Sequence, residues 1–207
     1  MKIDKIFLDF DDTMVDSSKV IVELLNRRFG THEDVANLNT WNYTNLFPTI
    51  KGIEIEELFD SADFFELLEW KEGAADFINK FHDIITIVSK GNEMNLYRKE
   101  MWIRKTFPDI KFIGIDPDVS KSTVEMGIGD CIIDDSAENL INSTAQMRVM
   151  FESFKHVEWN EKFYSVYELC KTKGNLCRWD ENGVWKVQDY ISDNWKEIEN
   201  IVTENMK

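Results

Sequence analysis

Asp9, Asp11 and Asp12 follow directly on the apolar run Ile6, Phe7 and Leu8, and Asp16 stands just beyond. Carboxylates this crowded repel one another, so a cation must offset them, and a metal ion is the first candidate. A second apolar run, Ile84 to Val88, ends in Ser89, Lys90 and Gly91. Lys121 comes shortly after a third run, Phe112 to Ile115, and a fourth, Cys131 to Ile133, ends in the pair Asp134 and Asp135. A carboxylate nucleophile, a hydroxyl, an ammonium and an acidic pair are the parts needed for metal-assisted phosphoryl transfer.

These groups must be brought together by the elements that carry them. Short apolar runs that end in polar residues suit strands buried on both faces, and a fifth such run lies at Val149 to Phe151. Helical patterns fall between them. Ser17 or Ser18 is placed to cap a helix running to Gly30, Gly73 to Phe81 is amphipathic, Asn92 precedes a helix that stops before Pro108, and Ser136 precedes AENLINSTA. The alternation predicts an α/β fold with a doubly wound, Rossmann-like parallel sheet. Such sheets bind ligands at the carboxyl ends of their strands, where the reactive groups above are found.

One stretch, residues 31–71, breaks the alternation and is rich in aromatics and acids. It reads as a mostly helical insert over the strand ends, or as a helical hairpin with an aromatic core of its own. Within it Trp41, Phe47 and Phe65 are candidates to stack on a nucleobase. The expected organisation is a core of residues 1–16 and 72–207 and a helical cap of residues 17–71. Near the C-terminus, Arg178 to Val187 reads as a hairpin turning at Asn182 and Gly183, and Asp189 to Met206 as a final helix.

Composition narrows the class. The 207 residues are 43 % hydrophobic, enough for a packed core, and carry a formal charge of -15. A chain this acidic, without a Lys/Arg-rich run, is expected to avoid nucleic acid and anionic membrane. The three cysteines, Cys131, Cys170 and Cys177, form no C-x-x-C pair, and His32, His82 and His156 lack ligand spacing, so neither a disulfide framework nor a zinc site is expected. Acids interrupt the first apolar run, and no run approaches the ~20 residues that span a bilayer. A cytoplasmic protein is expected.

DFDDT, VSKG, and KSTVEMGIGDCIIDD with its closing IIDD resemble the four ordered motifs of the haloacid-dehalogenase-like hydrolases, from about Lys2 to Phe151. In that superfamily a C1-type cap sits between the first two motifs. WNYTNLFP, DFFELL, WKEGAADFINKF, Asp16 and a late VEWN are similar to the 5'(3')-deoxyribonucleotidase branch. That branch usually has Gly-Val after its second Asp, whereas Asp12 and Thr13 stand here.

The resemblance implies roles. Asp9 is the nucleophile that forms an aspartyl-phosphate, and Asp11 is the general acid and base. Ser89 hydrogen-bonds a phosphoryl oxygen, Lys121 offsets charge, and Lys90 is a phosphate neighbour. Mg²⁺ is held by Asp9, by the Asp11 backbone carbonyl, by Asp135 directly and by Asp134 through water. Asp12 reads as an acid at a helix N-terminus rather than a ligand.

The implied function is a Mg²⁺-dependent phosphomonoesterase acting on a small phosphorylated substrate, a (deoxy)nucleoside monophosphate. The alternatives are a phosphatase for another small phosphometabolite, a receiver-type phosphoacceptor domain, and a catalytically silent binder. A receiver is much shorter and carries no cap. A dehalogenase has no need of the acid at Asp11, and nothing marks Lys19, Lys51 or Lys71 as the buried cap lysine a phosphonatase requires.

Overall fold

The predicted apolar runs become strands of one parallel sheet in the computed structural model, which describes residues 2–38, 42–153, 167, 177–180 and 183–206. In chain order the strands are β1 (Lys5–Leu8), β2 (Ile85–Lys90), β3 (Lys111–Ile115), β4 (Asp130–Asp134), β5 (Met147–Phe151), β6 (Cys177–Asp180), β7 (Gly183–Lys186) and β8 (Gln188–Ser192). Six of them form the main sheet in the spatial order β3-β2-β1-β4-β5-β8, all parallel. β6 and β7 pair antiparallel with each other, Asp180 opposite Gly183, in line with the expected hairpin. Its turn residue Asn182 lies outside the described residues, as do Trp41, His156, Cys170 and the VEWN stretch.

Both faces of the sheet are buried, which is why the strands read as unbroken apolar runs. Ile6, Leu8, Ile85, Ile87, Cys131 and Ile133 point into a large core. The alternate residues Phe7, Val88, Ile132 and Met150 point into a smaller one on the other side. The large core is closed by α1 (Ser17–Phe29), α4 (Ala74–Phe81), α5 (Glu93–Arg104) and α7 (Trp195–Asn205), and α6 (Ala137–Asn142) covers the smaller one. Two further helices, α2 (Gly52–Phe59) and α3 (Ala62–Leu67), pack on α1. No helix among the described residues is long and apolar enough to cross a membrane.

Two expectations need correcting. The C-terminal helix starts at Trp195, not Asp189: Gln188 to Ser192 instead extend the sheet beside β5. The Asp189 carboxylate is fully buried there and receives the Arg148 guanidinium at 2.5 Å and 2.7 Å, a fork an exposed first helical turn would not supply. Asn194 then caps α7 by accepting from the N–H groups of Lys196 and Glu197. At the other end of the chain the N-cap position of α1 belongs to Asp16, and Ser17 and Ser18 sit in its first turn with their hydroxyls turned to Asp11 and Asp12.

Candidate active site

The strand order reverses at β1: the chain passes to β2 and β3 on one side, then returns to β4 on the other. This is the topological switch point at which an open α/β sheet leaves a crevice. Asp9 follows the last residue of β1 and continues its ladder, its N–H donating to the Ile133 carbonyl at 2.9 Å. Asp134 ends the neighbouring β4, and Asp135 comes next. Asp9, Asp134 and Asp135 are all buried, with one carboxylate oxygen from each lying within 4.8 Å of the others.

Lys121 enters this cluster from a short 3-10 turn (Lys121–Thr123) whose N-cap, Ser120, accepts from the Ser122 N–H. The Lys121 Nζ donates to Asp9 Oδ1 and, at 2.8 Å, to Asp134 Oδ2. Burial by itself would lower the affinity of this ammonium for its proton, but Asp134 and Asp9 outweigh it, so its pKa is raised. Burial pushes Asp9 up to about 7, with Lys121 pulling the other way and Asp134 and Asp11 adding to the rise. Asp135 is raised well above the carboxylate range, first by burial and then by Asp9 and Asp134.

Once all three carboxylates are ionised, one ammonium leaves two negative charges, which one divalent cation would offset. The donors are all oxygens, the hard set that suits Mg²⁺ or Ca²⁺. The cluster therefore fits a metal ion. Its two β4-end acids are not equivalent. Asp134 is engaged by Lys121, by the Ser136 N–H and by the Asn139 amide, whereas Asp135 lines the open cavity.

Asp11 is turned away from this group. Its carboxylate accepts from Ser17 Oγ at 2.7 Å and from the Nζ of Lys99. Lys99 also donates to Ser89 Oγ at 3.1 Å and to the Lys90 carbonyl at 2.9 Å. Ser89 is fully buried in β2. Sequence reading missed Lys99, which lies inside a helix that carries many charges. A signal was present: Asn95, Lys99 and Ile103 are spaced by four and form the buried stripe of α5.

A cavity of about 530 Å³ opens above Asp9, Asp11, Lys121 and Asp135. Lys90 lines it, and among the described residues the aromatic side chains on its wall are Tyr43 and Phe59. Phe47 is buried in the large core and Phe65 packs edge-on against Phe64, so neither stands on that wall. Asn42, Thr44, Glu56 and Asn139 add polar groups to it.

Residues 2–171 match the family model described as "5' nucleotidase, deoxy (Pyrimidine), cytosolic type C protein". The chain belongs to this family. As a member it is a phosphoric monoester hydrolase of the haloacid-dehalogenase type. The fold agrees. A haloacid dehalogenase-like hydrolase from Streptococcus pneumoniae is 11 % identical over 96 % of this chain and 98 % of its own, with a TM-score of 0.58. A HAD family hydrolase from Deinococcus radiodurans, with bound phosphate and sodium, is 10 % identical over 98 % and 96 %, with a TM-score of 0.56. A HAD-hydrolase from Bacillus subtilis bound to magnesium is 13 % identical over 98 % and 99 %, with a TM-score of 0.50. Identities this low speak to the fold alone. No curated protein matches the chain in sequence at a significant level.

The departure from the nucleotidase branch at Asp12 has a backbone reason. Asp12 has φ +52°, the left-handed region where glycine is at ease and Asp is among the better-tolerated substitutes. Its carboxylate is used locally, accepting from the Ser18 N–H at 2.9 Å and from the Ser18 hydroxyl at the start of α1. Thr13, where the branch has Val, is buried and turns its hydroxyl toward Asp9 Oδ2 at 3.3 Å.

Proposed function

We propose that this hydrolase is a Mg²⁺-dependent phosphomonoesterase that passes through an aspartyl-phosphate on Asp9 and acts on (deoxy)nucleoside monophosphates in the cytoplasm. The observation that carries the reading is the meeting of Asp9, Lys121 and Asp135 at the floor of one cavity. Asp9 Oδ attacks phosphorus, the ester P–O bond breaks, and the leaving alkoxide takes a proton from Asp11. Asp11 then removes a proton from water, the hydroxide attacks the same phosphorus, and the P–O bond to Asp9 breaks to release inorganic phosphate.

Lys121 offsets charge on the nucleophile and the phosphoryl group, and Ser89 and Lys90 contribute from the end of β2. Asp9, the Asp11 carbonyl, Asp135 directly and Asp134 through water would hold Mg²⁺, which supplies Lewis-acid neutralisation of the phosphoryl oxygens when bound. Residues 17–71 act as the cap. They bring Tyr43 and Phe59 to the cavity wall, and about 530 Å³ lies within the range of small-ligand pockets.

The test is a set of phosphorylated metabolites, with dUMP, dTMP and sugar phosphates side by side, assayed for phosphate release with Mg²⁺ and with EDTA. Release from the nucleotides in Mg²⁺, abolished by EDTA and reduced on the order of 10⁴-fold or more in Asp9→Asn, is expected. Full turnover by Asp9→Asn removes the assigned nucleophile. Equal rates on sugars and nucleotides remove the substrate assignment while leaving the chemistry intact.

A further inference from the structure

Lys99 is 2 % exposed, and its ammonium sits where the loop after β1 meets the end of β2. An ammonium has three N–H groups and accepts nothing. Here the three are matched by three acceptors: Asp11 Oδ2, Ser89 Oγ and the Lys90 backbone carbonyl. The ring of Phe10, 5.4 Å from Nζ, closes another side. Lys99 thus joins the loop after β1 to the end of β2 from a helix that contributes no group to the cavity wall.

Two consequences follow from the direction of these bonds. Because Lys99 donates to Ser89, the Ser89 oxygen is occupied as an acceptor and its own proton is left for a different acceptor. Because Lys99 takes one Asp11 oxygen and Ser17 the other, the carboxylate plane of Asp11 is held in one orientation. We propose that Lys99 is a positioning residue for proton transfer: it aims Asp11 at the leaving oxygen and sets Ser89 as a donor, without itself touching the substrate. This rests on the assignment of Asp11 as the proton donor.

A positioning role for the proton donor has a signature that a structural role lacks. Loss of proton donation slows esters with a basic leaving group and spares those whose leaving group departs unprotonated. Lys99→Met and Lys99→Arg are therefore compared with the wild type on thymidine 5'-monophosphate, an alkyl ester, and on 4-nitrophenyl phosphate, both with Mg²⁺. The expected result for Lys99→Met is a fall in kcat/KM, which reports only the steps through departure of the leaving group, of about 10²-fold or more on the nucleotide and less than about tenfold on the aryl ester. Lys99→Arg, which keeps the charge, is expected to show the same selectivity with a smaller loss.

An equal loss on both esters in a folded variant, or no loss on either, overturns the proposal. Should Lys99→Met not fold, as read by circular dichroism, Lys99→Arg is judged by the same criterion. If wild-type protein turns over neither ester, the phosphatase reading itself falls and the role of Lys99 falls with it. Activity of the wild type with unselective variants removes only Lys99.

Discussion

The Tyr43 hydroxyl lies 2.7 Å from the Oγ of Ser18. Ser18 has one hydroxyl proton and gives it to Asp12, so Tyr43 is the donor in this pair. A residue from the stretch between α1 and α2 is thereby tied, through the first turn of α1, to the loop that presents Asp9 and Asp11. Burial, followed by the charge of Asp12, holds the Tyr43 phenol well above its usual pKa, which keeps it a donor throughout the working range.

Tyr43→Phe leaves the ring in place and removes this donor. Ser18 keeps its bond to Asp12, so the loss is one buried hydrogen bond, expected to lower stability by about 0.5–1.5 kcal/mol. In a chain of this size that is a fall of roughly 2–4 °C in thermal midpoint per kcal/mol, measurable by circular dichroism. An unchanged midpoint would show that the bond contributes nothing.

The acidic cluster predicts a pH dependence that metal removes. Asp9 is pushed up to about 7 in the folded chain, against a value near 3.9 in an unfolded one. The folded state therefore binds this proton more tightly, and the stability it contributes is complete below about pH 4 and is lost as pH rises toward 7. Asp135, raised as well, acts in the same direction. In EDTA, Asp9→Asn should gain stability relative to wild type as pH rises through this window, read from urea midpoints. Adding Mg²⁺ should restore the wild type selectively, because the cation then offsets the ionised cluster. A gap between the two proteins that does not change with pH would contradict this.

Arg148 and Asp189 join β5 to the edge strand β8 through a buried fork. Arg148→Met leaves Asp189 buried beside an apolar side chain, and a loss of about 3–5 kcal/mol is expected. The double variant Arg148→Met, Asp189→Leu removes both charges and should recover much of that loss. Urea unfolding of the two variants measures the difference, and a single variant as stable as wild type would show that Asp189 finds another partner.

The sequence by itself determined five of the six strands of the central sheet and the order of reactive groups at their ends. Runs such as Ile6 to Leu8 are apolar on both faces, and only a strand covered on both sides has use for that pattern. It also determined that Asp12 serves α1 rather than the acidic cluster, because an acid next to a helix start finds free N–H groups locally.

Only the tertiary structure decided which partner each charge has. Lys99 and Lys121 are ordinary lysines in one dimension, and each is buried against acceptors that other parts of the chain supply, Asp11 and Ser89 for Lys99, Asp9 and Asp134 for Lys121. Asp189 read as the first turn of a helix until Arg148, forty-one residues earlier, drew it into the sheet. Phe47 and Phe65 had the right chemistry to stack on a base, yet core packing claimed them and left Tyr43 and Phe59 at the cavity. The reason is common to all of these residues. Burial and ion pairing are set by which surfaces meet, and residues far apart in the chain meet only when the sheet is assembled.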